Sequence, residues 1–387
     1  MRHIERWLGG VLMLLLLTAC SSSSGDEVQP KEKPMLKILL FAPESPIVTR
    51  GSIGDVDALS KEERLIYSID VWVFEHLSPD KKVGYIHQEG LSFDGQREIS
   101  MEISDDFANL TNKPNVDIYV VANKESLAIG SSLGKETTMA ALKDACIGSA
   151  DFGLSSLVTP ENFPATGLPM SGLLENQKVL GIPPVYTAKA NNVRLVRAVS
   201  KIRFAFSKSA PPAVAPTISN ISVSLKANML PNNEYVFLEG RYPTYTSHMV
   251  TTGDEAYNQD PVTFFSGKGI DDIKGCDNPA DYIFTTQTGQ AYETLIQTGI
   301  DNDKLTGFGP FYLHESDKKL EGTISYYIGS ATTPTVREFS MAAAGDFTRN
   351  HTWIVYGYFL GSGELKLNVV DVKNWDLDTE NPKVYNW

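Results

Sequence analysis

The chain has 387 residues, which is long enough for two domains of ordinary size. It carries 34 basic and 47 acidic residues, so its formal net charge is −13 at pH 7. Because the chain is acidic and has no basic cluster, it is suited neither to nucleic acid nor to the charged surface of an anionic membrane, and any attachment to a membrane would have to come from a covalent lipid.

Residues 1–19 have the pattern of a secretory signal peptide, with arginines, an apolar run from Val11 to Leu17, and small residues before a cysteine. The apolar run is too short to span a membrane, which takes about 20 residues. The sequence Leu17-Thr18-Ala19-Cys20 is similar to the lipobox of bacterial lipoproteins. In such proteins the cysteine is acylated and becomes the new N-terminus, so we expect a lipid on Cys20 and a flexible tether after it. The alternative is an ordinary signal peptide with an incidental cysteine.

The segment after the tether has the composition of a β-strand. Its apolar run begins at Leu36, includes Ile38 and Leu40, and is stopped by prolines. The chain then reaches Arg50 and Gly51, where an extended segment would offer an exposed bond to a trypsin-like protease. We therefore expect a removable strand, because cleavage after Arg50 would free the domain from its anchor and leave an apolar groove for a strand of another subunit.

The rest of the chain is rich in short segments with the alternation and residue types of β-strands. The expected strands are Ile69–Phe74, Val83–Ile86, Ile99–Ile103, Val116–Asn123, Leu195–Phe206, Ile221–Leu225, Thr323–Ile328, Trp353–Phe359 and Leu365–Val372. Such a series with few helices predicts a mainly β chain built of sandwiches.

Three further segments carry specific expectations. The side chains of Leu195–Phe206 do not alternate cleanly between the two faces of a strand, which predicts a bulge or a change of face. Thr137–Ala145 is the clearest helix candidate, since its apolar residues fall on one helical face. From Tyr242 to Lys304 the chain is rich in Gly, Asp, Asn and Thr, and we expect a long irregular insertion there.

Catalytic and metal-binding patterns are missing from the sequence. Asp301-Asn302-Asp303 begins like a calcium loop, but Leu305 occupies the position of an oxygen ligand. The histidines share no metal-binding spacing, and no nucleophile, phosphate-loop or dinucleotide motif is present. We therefore expect no enzymatic activity, no metal site and no cofactor.

Cys146 and Cys276 fall in different predicted domains. A disulfide between them is chemically allowed outside the cytoplasm, and two separate core residues are the favoured alternative. Their surroundings lack the ligand spacing of a structural zinc site.

An ordered set of short motifs extends over nearly the whole chain. After the lipobox and Thr49-Arg50-Gly51, these motifs are Val71-Trp72-Val73-Phe74, Tyr119-Val120-Val121-Ala122-Asn123, Leu168-Pro169-Met170-Ser171-Gly172, Val196-Arg197-Ala198-Val199-Ser200-Lys201-Ile202, Phe311-Tyr312-Leu313-His314-Glu315 and Arg349-Asn350-His351-Thr352-Trp353. In this order they resemble the fimbrillin family of Bacteroidetes, the subunits of type V pili.

The resemblance implies two transthyretin-like β-sandwich domains with few short helices. Together with the strand pattern, it divides the chain into a lipoprotein signal peptide (1–19), a tether with the removable strand (20–50), an N-terminal sandwich (51–190) and a C-terminal sandwich with a donor segment (191–387). It also implies an outer-membrane lipoprotein precursor, cleavage after Arg50 by an arginine-specific protease, and a mature form at the cell surface in fimbriae that support adhesion. The implied partners are other pilus subunits, identical or related, and not nucleic acid.

In stalk subunits of this family, the C-terminal segment of a neighbour replaces the removed strand. Carried over to this chain, the candidate donor residues are Leu365, Leu367, Val369, Val384 and Trp387. Aromatic residues at the end of the tail favour burial in a neighbour, and packing back on the same domain is the alternative. Anchor subunits keep their lipid and first strand, and tip subunits tend to lack a donor, so a non-polymerising anchor or a tip subunit stays open.

A surface lipoprotein that binds glycans is the alternative from another functional class. Its candidate stacking platforms are aromatic side chains that the sequence allows equally as core or loop residues. These side chains are Trp72, Tyr242, Tyr245, Tyr257, Phe264 and Phe265.

Overall fold

The protein is built mostly of β-strands, as the alternation of its sequence predicts. Strands account for 52% of the structure and helices for 14%. The structure, a computed structural model, describes residues 32–43, 61–148, 163–209, 217–237, 257–283, 289–341, 347, 349–372 and 384–386.

The first half of the chain forms two sheets that share one apolar core. Its strands are β1 (Met35–Phe41), β2 (Ile69–Glu75), β3 (Ser78–Gln88), β4 (Gln96–Glu102), β5 (Val116–Ala122), β6 (Cys146–Gly148), β7 (Met170–Gln177), β8 (Val179–Ile182), β9 (Val185–Arg194) and β10 (Val196–Arg197). One sheet has the order β4-β1-β9-β8 and the other has the order β10-β7-β5-β2-β3, while β6 belongs to neither and pairs with residues 233–235 of the second half. Side chains of both sheets enter the core between them, so this first pair of sheets is packed as a sandwich.

The second half repeats this arrangement with a second pair of sheets. Its strands are β11 (Ser200–Ser209), β12 (Ile218–Leu225), β13 (Asn233–Tyr235), β14 (Val262–Lys268), β15 (Gly275–Cys276), β16 (Thr306–Leu313), β17 (Leu320–Ile328), β18 (Thr335–Met341), β19 (Thr352–Phe359), β20 (Leu365–Val372) and β21 (Val384–Asn386). One sheet has the order β15-β11-β19-β20-β21, with β16 also paired to β11, and the other has the order β14-β12-β17-β18. A separate apolar core fills the space between them.

The helices of the described ranges are short. They are α1 (Asp105–Ala108), α2 (Met139–Lys143) and α3 (Gly289–Asp301), with 3-10 turns at Lys124–Ser126, Ala128–Ser132, Ile270–Asp272 and Pro279–Tyr282. The helix predicted over Thr137–Ala145 is confirmed as α2, which begins where the Thr138 hydroxyl accepts a bond from the Ala141 amide. None of the helices in the described ranges is long and apolar enough to cross a membrane.

The expected irregular stretch from Tyr242 to Lys304 is wrong in part, because β14 and α3 both form within it. Helix α3 contains glycines and lacks a strong helix-forming composition. It is stabilised instead by packing, since Tyr292 and Ile296, one helical turn apart, are buried against the outer face of the sheet that contains β11. Tertiary contacts of this kind are invisible in the local sequence.

The segment from Leu195 to Phe206 is divided between two sheets, which the sequence did not predict. Strand β10 ends the first pair of sheets, and β11 starts the second pair three residues later. A shift in the pairing of β11 with β16 between Ile202 and Phe204 supplies the expected bulge. The predicted domain boundary after residue 190 lies within β9, and the region Pro34–Trp387 forms one compact unit. The division into two domains stays a prediction.

Candidate functional site

Strand β1, the predicted removable strand, lies in the interior of its sheet. Its side chains alternate between buried and half-buried, and Leu36, Ile38 and Leu40 are 1%, 0% and 0% exposed. Each such side chain contributes roughly 1.5–3 kcal/mol through burial. The three side chains are therefore part of the first core, and removal of their strand stays a prediction.

Both edges of β1 are paired, but the two ladders differ. Strand β4 pairs with it antiparallel without interruption, from Met35 opposite Glu102 to Phe41 opposite Gln96. Strand β9 pairs with it in parallel, and this ladder breaks opposite Ile38, where residues 188–191 of β9 face a single residue of β1. Removing β1 would leave a slot with unpaired backbone groups on both sides and an apolar floor.

The two ends of β1 are held by backbone hydrogen bonds to different parts of the molecule. At its start, the Met35 amide donates to the Pro184 carbonyl at 2.8 Å, in the turn between β8 and β9. At its finish, the Phe41 carbonyl accepts from the Leu195 amide at 2.9 Å, just before β10. The second end of the slot therefore lies beside the point where the chain crosses to the second pair of sheets.

The predicted donor residues are placed differently. Leu365, Leu367 and Val369 lie on β20 and are buried in the protein's own second core. Strand β20 is itself paired on both sides, with β19 and β21. These three side chains could fill the groove of another subunit only if β20 left its sheet and exposed that core, so the structure argues against them as donors.

The other predicted processing and donor residues lie at or beyond the limits of the described structure. Val384 is the first residue of β21, where it pairs with Val370 at the edge of the sheet. Cys20, Arg50, Gly51 and Trp387 lie outside the described residues. Their roles stay predictions.

A buried charged cluster joins the first pair of sheets to the second, and it is made largely of the motif residues. Glu63, which precedes β2, is 2% exposed. Its carboxylate accepts from the Tyr312 hydroxyl at 2.5 Å and from Lys201 Nζ at 3.1 Å. Its backbone carbonyl accepts from Arg197 Nε at 2.8 Å. Burial and the neighbouring carboxylate raise the pKa of Tyr312 well above its ordinary value. The phenol therefore stays protonated and donates a hydrogen bond to Glu63.

A second buried cluster is centred on Arg349, which is 0% exposed. Its guanidinium donates to Glu315 Oε1 from Nε at 3.1 Å and from Nη2 at 2.8 Å, and to the backbone carbonyls of Tyr235 and Val236. Glu234 Oε2 accepts from the Glu315 amide at 3.1 Å. Burial raises the pKa of Glu234 well above its ordinary value, and the charge of Glu315 adds to this effect, while Arg349, whose Nη2 lies 3.8 Å from Glu234 Oε2, opposes it.

Two asparagines of the motifs, Asn123 and Asn350, form further buried hydrogen bonds. Asn123 has a positive φ of 56°, and its side chain donates to the carbonyls of Leu65 and Leu168 while accepting from the Tyr67 amide. Asn350 accepts from Arg197 Nη1 at 2.9 Å and so connects the two charged clusters. The motifs thus build the joint between the two pairs of sheets.

Sequence reasoning missed Glu63, Arg197, Lys201, Glu315 and Arg349 as a connected set. The available signal was the presence of charged residues inside strongly apolar strands, since buried charges are normally paired. Their partners come from distant parts of the chain, and Glu63 and Tyr312 are 249 positions apart.

The aromatic residues proposed as glycan platforms are largely packed inside the protein. Trp72 is 0% exposed and donates from Nε1 to the Gly134 carbonyl at 2.8 Å. Phe264 is 6% exposed, and Phe265 stacks on Phe308 with ring centroids 4.1 Å apart. The half-buried Tyr257 donates a hydrogen bond from its hydroxyl group to Asp317 Oδ1 at 2.6 Å. These positions give no open stacking surface.

Tyr242 and Tyr245 lie outside the described residues. The two cysteines among the described residues, Cys146 and Cys276, are free. Burial raises the pKa of both thiols, which disfavours the reactive thiolate.

One group of possible metal ligands lies on the first pair of sheets. Ligand atoms of Asp70, His87 and Glu125 lie within 4.8 Å of one another. Asp70 Oδ1 already accepts from the Tyr85 hydroxyl at 2.6 Å and from Lys124 Nζ at 2.8 Å. Since the ammonium group of Lys124 neutralises this carboxylate, we assign no metal to the group.

Comparison with solved structures identifies proteins of similar fold. A candidate cell adhesion protein of Parabacteroides distasonis aligns with a TM-score of 0.51 at 15% identity, covering 90% of this chain and 99% of that one. This chain shares the fold of that protein. A fimbrial assembly protein of Parabacteroides distasonis covers 92% of this chain and 100% of its own, at 13% identity and a TM-score of 0.44. A tip fimbrial protein of Porphyromonas gingivalis, truncated at its C-terminus, covers 92% and 100%, at 12% identity and a TM-score of 0.43.

The chain thus shares its fold with a candidate cell adhesion protein of Bacteroidetes, which agrees with the mainly β fold that the fimbrillin resemblance implies. No family model matches the chain, and no curated protein matches it.

Replacing Lys201 by Met should destabilise the protein by about 3–5 kcal/mol, because it leaves the buried Glu63 carboxylate without its nearest cation. The matched control is Lys37→Met, which breaks an exposed pair with Glu98 and should cost about 0–1 kcal/mol. Urea unfolding of the full chain measures both. Equal losses in the two variants would show that the buried cluster does not stabilise the joint.

Replacing Glu234 by Gln should flatten the dependence of stability on pH. A carboxyl whose pKa is raised by folding contributes its full stability below the unfolded value, near 4.5, and loses it as pH rises through the folded value. The free energy of unfolding of the unmodified protein should therefore fall relative to that of the variant from pH 5 to pH 8. Parallel curves for the two proteins would contradict the raised pKa.

Proposed function

We propose that this chain is a structural subunit of a type V pilus that polymerises by strand exchange. The observation that supports this most is the position of β1, an interior strand with a buried apolar face and a paired neighbour on each side. In the sequence, this strand stands between Cys20, the expected lipid site, and Arg50, the expected cleavage site. A single cut would separate the strand and the lipid from the rest of the protein.

The proposed sequence of events begins with export of a lipoprotein precursor that is acylated on Cys20 and held at the outer membrane. An arginine-specific protease then cuts after Arg50 at the cell surface. Loss of β1 leaves a slot with an apolar floor and two unpaired backbone edges, an arrangement that strand addition relieves. A strand from a neighbouring subunit fills the slot and links the two subunits into a fimbria.

The donor segment of this chain is proposed to lie after β20, and to include Val384 and Trp387. Strand β21 supports this, because it shows that this part of the tail can pair as a strand at a sheet edge through three residue pairs. Strand β20 remains in its own sheet, since its withdrawal would expose the second core.

The charged cluster around Glu63 supports a subunit that keeps its shape after the cut. Glu63 follows Arg50 closely in the sequence and is bound by Arg197, Lys201 and Tyr312. The residues that precede β2 would thus stay fastened to the second pair of sheets when β1 leaves. We propose that the protein has no catalytic role and contributes to adhesion as a structural element of the fimbria.

Replacing Arg50 by Ala should leave the chain as an acylated monomer in the cells that make it, because the strand can no longer be released. The unmodified chain should begin at Gly51 and be found in polymers. Lys61→Ala, at an exposed basic residue after the cut, is the control and should behave like the unmodified chain. N-terminal sequencing, mass and the polymer fraction measure the outcome.

Normal polymers of the Arg50→Ala variant would refute the proposal. An unmodified chain that keeps a lipidated Cys20 would point instead to an anchor subunit, which retains its first strand.

Replacing Ile38 by Ala should destabilise the uncut precursor by about 2–5 kcal/mol and leave the polymer unchanged, because β1 is absent from the polymer. Ile118→Ala is the matched control, since Ile118 is equally buried in the retained strand β5 and should weaken both forms. Thermal unfolding of precursor and polymer measures the effect. A polymer weakened by Ile38→Ala would mean that β1 is not removed.

A further inference from the structure

Exposed apolar side chains are concentrated at one end of the first pair of sheets. Ile182 is 79% exposed, Leu180 42%, and Leu110 and Val185 41% each. Strands β8 and β9 bring three of them together, since Ile182 pairs with Val185. We call these four residues the apolar end. Among the described residues they are four of the six large apolar side chains that are strongly exposed.

The apolar end lies beside the start of β1. Val185 is opposite Met35 in the parallel ladder, and the Met35 amide donates to the adjacent Pro184 carbonyl. The Tyr186 hydroxyl donates to the Ala108 carbonyl at 3.2 Å, which brings the turn that carries Leu110 to the same end. The start of β1 therefore lies next to this surface.

The two edges of this sheet differ in how they are protected. Strand β4 forms one edge and carries the exposed charged residues Arg97, Glu98 and Glu102. Strand β8 forms the other edge, and its sequence Val179-Leu180-Gly181-Ile182 has no charge. Charged side chains on an edge oppose pairing with another chain, whereas an apolar edge strand favours it. The β8 edge is thus the one open to a protein partner.

The other end of the slot lies beside the joint with the second pair of sheets. The Phe41 carbonyl binds the Leu195 amide, and β10 follows with Arg197, which is 2% exposed and bound to Glu63 and Asn350 at the joint with the second pair of sheets. A subunit whose strand takes the place of β1 therefore has room for its body at the Met35 end, next to the apolar end.

We propose that the apolar end is a contact surface for a second copy of this chain, namely the copy that supplies the strand replacing β1. This inference rests on the proposed function and adds a body-to-body contact outside the slot. The contact buries Ile182 and its neighbours against the donor subunit, so it strengthens the same joint that strand exchange creates.

The test introduces a photo-crosslinking amino acid at position 182 of the full chain, in the cells that make it. The control places the same amino acid at position 336, since Val336 is 51% exposed on β18 of the second pair of sheets. Position 182 should give a product between two copies, position 336 should not, and the Arg50→Ala change should abolish the product at 182.

A second pair of variants measures the contribution of the contact to assembly. Ile182→Lys should begin at Gly51 like the unmodified chain, keep its unfolding midpoint, and form about tenfold less polymer. Val336→Lys should polymerise normally. If Ile182→Lys polymerises as well as Val336→Lys, or if position 182 crosslinks to lipid only, the contact is overturned while strand exchange stands. If the unmodified chain is cut after Arg50 and forms no polymer, the proposed function fails first and this inference fails with it.

Discussion

The structure depends on one constraint, which is that an interior position of the first sheet is occupied by β1. A four-stranded sheet with a missing interior strand loses two ladders of hydrogen bonds and opens its core to water. The strand that meets this need here carries Leu36, Ile38 and Leu40 on its inner face. Another strand with the same alternation can occupy this position, because the ladder is formed by backbone groups and the core accepts apolar side chains of similar volume.

A second constraint comes from the buried charged residues at the joint between the two pairs of sheets. Buried ion pairs add little net stability, yet they are costly to break once formed, so they hold a specific geometry better than an apolar contact does. Glu63, Lys201 and Arg197 are each almost fully buried and bonded across the joint. A subunit that exchanges one of its strands benefits from a joint that does not slide while the exchange takes place.

Local pattern predicts the strands well and the long-range features poorly. Strands β2, β5, β19 and β20 follow directly from runs of β-branched and aromatic residues, and the imperfect alternation of Leu195–Phe206 correctly predicts the bulge in β11. Helix α3 could not be predicted, because its stability comes from contacts of Tyr292 with a sheet. The donor role of Leu365 could not be judged either, since an alternating strand looks the same in its own core as in a neighbour's groove. The charged joint needs partners from opposite ends of the chain, and only the fold brings these together.

The interrupted ladder between β1 and β9 affects how one strand can give way to another. Opposite Ile38 the pairing stops, so β9 holds β1 in two short runs rather than one continuous ladder. Short runs open and close independently more readily than long ones, because each opening breaks fewer hydrogen bonds. If β1 is released as proposed, the strand that replaces it meets β9 as two separate pairing sites of three residues each, and it can pair with one of them before the other.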